Sequence, residues 1–247
     1  MNEDNKKIPM RVFSFYKLFK FDVYTQYENE SFLSETRVEN VTKVEFLKLS
    51  KKIKIYKVAF DYYKTYPNAY IPKPSNIDFD IDHSYIPVTN VFFKNQFKAF
   101  VDSDSEIVIF DCSYKLSDKF LNSIHSLKTI NNKISKSSIF LEKYEIDLKK
   151  IRRYHDKIGI WYTFDGKILN TTSTGVFGVD VEHSRIKMQI EEQGGRQTAL
   201  VLRIEFNSEL ITAIVSANGS ISISTATTFD EAFSITNSII SELILKA

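Results

Sequence analysis

The chain has 247 residues, 43% of them hydrophobic, and its 33 Lys and Arg are nearly matched by 31 Asp and Glu, leaving a net charge of +2. So small an excess argues against a strongly electrostatic polyanion binder, and the single cysteine, Cys112, excludes an internal disulfide framework. No apolar run is long enough to cross a bilayer and no basic segment precedes an apolar one near Met1, so an intracellular chain away from membranes is expected.

In chain order, Arg11–Tyr27 is rich in Phe, Tyr and Val and predicts a strand, Arg37–Leu49 predicts a helix, and Lys51–Tyr63 predicts a second strand. Pro67, Pro72 and Pro74 mark a loop. Strands are expected near Ile77–Ile81, Tyr85–Phe93, Lys98–Val101 and Glu106–Cys112. A helix capped by Ser117-Asp118 follows, with Phe120, Leu121, Ile124 and Leu127 on one side. Beyond Ser137, Ile139–Leu148 predicts a strand, Lys149–Asp156 a helix, and Trp161–Leu169 a hairpin through Asp165-Gly166.

The last fifty residues carry the clearest pattern. Gln197–Phe206 and Leu210–Thr228 alternate in period two, and Asn218-Gly219 tolerates the positive φ that a twisted hairpin needs. Ile211, Ala213, Val215, Ile221 and Ile223 form a core face, and small polar residues line the other. From Phe229 to Lys246, acid in the first turn at Asp230-Glu231 and apolar residues at helical spacing predict a helix covering the isoleucine face.

A weaker copy lies upstream. Phe97–Ser113 can be laid on Ile211–Thr227 without a gap, with Ala99 on Ala213, Val101 on Val215, Ile107 on Ile221 and Ile109 on Ile223, and a helix-like stretch follows both. The overlay predicts that the helix after Ser117 covers Ile107 and Ile109. The two parts are not close copies, since all seven glycines lie at or after Gly159 and all five prolines at or before Pro87.

The segment Leu200-Val-Leu-Arg-Ile-Glu-Phe206, followed by Leu210 to Ala232, resembles the distal part of one repeat of the TATA-box-binding protein family. The resemblance implies an α+β fold in which a curved antiparallel sheet, a saddle of two pseudo-repeats, carries helices on its convex face. The halves would be residues 1–137 and 138–247. It also implies a nonenzymatic, cofactor-free DNA-binding protein acting in transcription initiation. The partners would be A·T-rich double-stranded DNA, gripped in the minor groove, and other initiation factors or RNA polymerase. The corresponding concave face would carry Arg203, Thr212, Ile214, Ser216, Ser222 and Ser224 in the second half and Lys98, Phe100, Val108 and Phe110 in the first. Of the family's intercalating phenylalanine positions in the second repeat, one falls on Gln197 and the other on Ser216, which speaks against strong bending. A module of the same fold for RNA, an RNA–DNA hybrid or a protein partner is the alternative binding reading.

Other chemistry is sparse. Asp78, Asp80 and Asp82 share one strand face, as in sites that hold Mg²⁺ for nucleotidyl transfer, and their spacing resembles the first acidic motif of the archaeal and eukaryotic type of primase, with Ser123-Ile-His125 matching its Ser-x-His. The bland account of three such carboxylates is a charged edge that blocks aggregation. His83, His125, His155 and His183 lack metal-ligand spacing. Gly194-Gly195-Arg196 lacks the Lys-Ser/Thr of a phosphate loop. Residues 1–157 hold 27 of the 33 basic side chains, and the runs Lys48–Lys57 and Lys149–Arg153 read as solvated faces.

Overall fold

A computed structural model describes residues 6–241 apart from 24–25, 35–36, 51, 73–84, 127–137, 150, 152–155 and 169–170. It is an α+β chain dominated by one large antiparallel sheet. In the first part come β1 (Arg11–Asp22), β2 (Gln26–Ser34), β3 (Arg37–Ser50), β4 (Ile53–Pro72), β5 (Tyr85–Phe93), β6 (Gln96–Asp102), β7 (Ile107–Phe110) and helix α1 (Tyr114–Ser126). Then follow β8 (Ser138–Lys143), β9 (Asp156–Ile168), β10 (Thr171–Phe177), helix α2 (Arg185–Glu192), β11 (Gly195–Phe206), β12 (Glu209–Ser216), β13 (Ser220–Ile223) and helix α3 (Phe229–Ile239). The strand order is β10-β9-β11-β12-β13-β1-β7-β6-β4-β3-β2, with β5 on β4 and β8 on β1.

The Arg37–Leu49 helix is corrected to a strand. Val38, Val41, Val44 and Leu47 recur every three residues, which imitates a helix, but Val38, Val41, Thr42 and Val44 are β-branched and lose rotamer freedom in one. Between β2 and β4 this strand buries Thr42 and Val44 completely. Arg11–Tyr27 divides into β1 and the start of β2, Asp165-Gly166 lies within β9, and α2 arises where no helix was expected. Asp78, Asp80, Asp82, His83 and His155 lie outside the described residues.

Hairpin β12–β13 pairs Ser216 with Ser220, so its loop is Ala217-Asn218-Gly219. Gly219 takes φ +78, and a Cβ there would sit 2.6 Å from the Tyr144 carbonyl oxygen and 2.9 Å from that of Phe15. Only glycine lets this loop press on both segments. Hairpin β6–β7 pairs Asp102 with Ile107, which makes its loop one residue longer. Asp102 fixes that loop by accepting from the N–H groups of Asp104 and Ser105, and Glu106 closes it at φ +53.

That extra residue overturns the expected facing of the first half, because a one-residue slip turns every side chain to the opposite side. Ala99 and Val101 share a face with Val108 and Phe110, whereas Ile107 and Ile109 share the other with Phe100. Helix α1 accordingly covers Val108 and Phe110, through Phe120, Leu121 and Ile124, together with Tyr16, Val44, Tyr56 and Val58. Helix α3 lies on the other face, in one buried cluster with Phe100, Ile107, Ile109, Ala213, Val215, Ile221 and Ile223 to which Leu200 and Leu202 also belong. In register, these two clusters alternate along β1, Phe13 and Phe15 pointing to α3 and Ser14 and Tyr16 to α1. The helices therefore lie on opposite faces of the sheet, and the expectation of both on one convex face is corrected.

Both helices are anchored by named contacts. Thr228 caps α3 by accepting from Glu231 N–H while the Glu231 carboxylate accepts from Thr228 N–H at 2.8 Å, and these bonds hold that carboxyl below its usual range. Ser117, expected to cap α1, lies inside its first turn instead, with its Oγ 2.8 Å from that of Ser14 and 2.7 Å from the Tyr16 hydroxyl. Helix α2 is fixed by ions: Lys157 and Lys187, 7% and 5% exposed, reach the two Glu182 oxygens at 3.2 and 3.3 Å, and Lys187 also reaches Glu191 at 3.4 Å.

Two stability predictions follow from this packing. Phe100→Ala and Phe110→Ala should each cost about 3–5 kcal/mol by urea denaturation, as buried rings do, and unchanged midpoints would show that the facing is wrong. Glu182→Gln should cost on the order of 2 kcal/mol at neutral pH, because two buried ammonium groups lose the charge they share. Equal urea midpoints for wild type and variant would show that this network does not hold α2.

Candidate nucleic-acid interface

Opposite-face helices leave the α1 side of the second half uncovered by any described helix. In register, Ser220 and Ser222 of β13, Thr212, Ile214 and Ser216 of β12, and Ala199, Val201 and Arg203 of β11 all point to this side, opposite the core residues that alternate with them. Thr212, Ile214, Ser216, Ser220 and Ser222 are half-buried and Arg203 is exposed. Ser224 is exposed just beyond β13, where its N–H and hydroxyl both donate to the Thr212 carbonyl, at 2.9 and 3.0 Å.

The six residues expected in the second half thus share one accessible face. The four expected in the first half do not join them. Phe100 is buried under α3, its ring 4.3 Å from that of Phe233 and 5.7 Å from that of Phe229. Lys98 is on that same α3 side, with Nζ 4.7 Å from the Phe229 ring centre. Val108 and Phe110 are on the α1 side but fully buried, and Phe110 packs edge-on against Phe120. None of these three apolar side chains can meet a ligand without moving a helix.

Toward the sheet edge the face ends in an aromatic pair that sequence reasoning missed. Trp161 of β9 and Phe177 of β10 are 41% and 57% exposed and meet edge-on, with ring centres 5.2 Å apart. They lie against glycines: a Cβ on Gly175 would stand 2.7 Å from Phe177 and 3.0 Å from Trp161, and one on Gly159 would stand 2.6 Å from Phe177. Gly159-Ile-Trp161 and Gly175-Val-Phe177 each put a glycine and an aromatic two apart on a strand, hence on one face, and that spacing is the signal that could have revealed the platform.

The face is low in charge. Its exposed cations Arg196 and Arg203, which pair in register with Thr163 and Thr212, are matched by two exposed carboxylates on the same side, Asp156 opposite Arg203 on β9 and Glu205 two residues along β11. Hydroxyl donors, small apolar groups and flat rings make it suited to contacts with the edges and planes of bases more than to phosphates. Elsewhere, burial pushes the Cys112 thiol up to about 12, so it stays protonated and unreactive at neutral pH. His183 is exposed, 2.8 Å from Asp180, and no group of three or more His, Cys, Asp or Glu side chains placed to hold a metal occurs among the described residues. No described helix is long and apolar enough to cross a membrane.

The sequence matches no protein-family model and no curated protein. What this face binds must therefore be argued from its own chemistry.

Trp161 is the only tryptophan, so the face carries its own reporter. Its emission should be quenched by neutral acrylamide in the free protein. A protected, blue emission would place the indole in the core and remove the platform.

Proposed function

We propose that the chain binds A·T-rich double-stranded DNA in the minor groove through the uncovered face of its second half, in the manner that the resemblance to the TATA-box-binding protein family implies. On this reading β6–β7–α1 and β12–β13–α3 are diverged copies of one unit, and the curved sheet presents one side of the second copy to DNA. A role in transcription initiation, with other initiation factors or RNA polymerase as partners, belongs to the same reading. The observation that supports it is the row of Thr212, Ile214, Ser216, Ser220 and Ser222 on one accessible face. The minor groove of an A·T pair offers only acceptors, which serine and threonine hydroxyls can satisfy as donors, and an isoleucine can enter between base steps.

The first half contributes its fold and no contacts, since Phe100, Val108 and Phe110 are buried. With Arg196 and Arg203 as the cations on the face, electrostatics is a minor term. A second reading is favoured by Trp161 and Phe177, whose exposed rings at the sheet edge could stack unpaired bases of single-stranded RNA or DNA.

Titrating Trp161 fluorescence with an A·T duplex, a G·C duplex and a single strand separates the readings. Minor-groove binding predicts roughly tenfold tighter affinity for A·T than for G·C duplex and a log–log salt slope of about −2 for two phosphate contacts. Arg203→Ala should weaken every duplex alike, and Ile214→Ala should reduce the A·T preference. Tightest binding to the single strand would replace the first reading by the second, and no response to any of the three at low salt would exclude both.

A further inference from the structure

We infer that the outer edge of β10 is a strand-pairing surface for a second copy of this chain. In the sheet β10 is terminal, and among the described residues no strand pairs with its outer side. Its register with β9 runs through Thr174↔Tyr162, Val176↔Ile160 and Phe177↔Gly159, and Gly178 N–H donates to the Ile158 carbonyl at 3.1 Å on the same register. In an antiparallel ladder both backbone groups of a residue point to the same side and alternate along the strand. Thr174 and Val176 therefore turn their N–H and C=O toward β9, and Ser173, Gly175 and Phe177 turn theirs outward.

Exposed edges are ordinarily blunted by charge, proline or a covering segment. The opposite terminal strand, β2, carries Glu28 and Glu30. By contrast β10 reads Thr-Thr-Ser-Thr-Gly-Val-Phe, with no charge and no proline. Beside it stand the exposed apolar groups Trp161, Phe177 and Val179, the last 93% exposed.

The sequence also says which partner fits. A twofold axis through Gly175 pairs Gly175 with Gly175 of the other copy and Ser173 with Phe177, so all three outward-facing residues of each strand exchange hydrogen bonds. No like charges oppose one another in this register. Gly175 has no side chain at the axis, so the two backbones meet while Trp161 stays folded over it. The pairing makes one sheet of two copies and joins their uncovered α1-side faces. It stands independently of what those faces bind.

The test is the mass of the full chain by light scattering over a concentration series, with Ser173→Ala and Ser173→Pro alongside. Proline removes an N–H that β9 does not use and is tolerated on edge strands, whereas alanine keeps the donor. Wild type and Ser173→Ala should reach twice 28.7 kDa, and Ser173→Pro should stay at that monomer mass with the thermal midpoint that wild type shows when diluted to monomer. Hydrogen exchange on the wild type decides the matter if the proline variant unfolds: the Ser173, Gly175 and Phe177 amides should gain protection as concentration rises. A wild-type monomer at ~100 µM, the range expected of small interfaces, overturns the proposal. So does a dimeric Ser173→Pro, or exchange at those amides that ignores concentration.

Discussion

The rest of the structure depends on β1 being buried from both sides. Its run Phe13-Ser14-Phe15-Tyr16 is almost wholly inaccessible, where a strand with one wet face would alternate. Phe13 meets Phe229 and Phe233 of α3 at 6.1 Å ring separations, while Ser14 and Tyr16 close on Ser117 of α1. Burying each large apolar side chain contributes about 2 kcal/mol. The hydroxyls cost nothing comparable because each finds another buried hydroxyl. Burial pushes the Tyr16 phenol up, so it remains a proton donor within that triad. With β7 on one side and β13 on the other, β1 joins both halves into one sheet.

What was legible in the sequence was what local chemistry decides. Asn218-Gly219 gave the second hairpin and Asp230-Glu231 the start of α3, because a left-handed turn residue and a capping box need only their immediate neighbours. The facing of the first hairpin was not legible. A gapless overlay makes Asp102 pair with Glu106, and nothing in the alternation of Ile107, Val108, Ile109 and Phe110 objects, since all four are apolar and all four are buried. Only the Asp102 side chain, drawing two N–H groups into a longer loop, decides the register. The same doubly buried character hid the role of Phe100, Val108 and Phe110, which look like candidates for an open face until both faces are seen to be covered. In α2, the signal was an i,i+4 pair, Lys187 and Glu191, whose partners Lys157 and Glu182 come from elsewhere in the chain.

Placing α1 and α3 on opposite faces leaves two regions of contrasting chemistry that no described helix covers. On the α3 side of the first half, Lys57 stands between Glu45 and Lys98 in register, with Lys43 nearby on β3, a mixture of signs that water solvates well. On the α1 side of the second half isoleucine, valine, alanine, serine and threonine predominate, with Arg196, Arg203, Asp156 and Glu205 as the charged groups and an aromatic pair at the rim. The basic excess of the chain lies in residues 1–157, away from this second face. Charge therefore does not mark the surface that a partner would dehydrate most cheaply. That surface is the one where most polar groups are small, single hydroxyls already seated on a rigid ladder, so that docking there orders few rotamers.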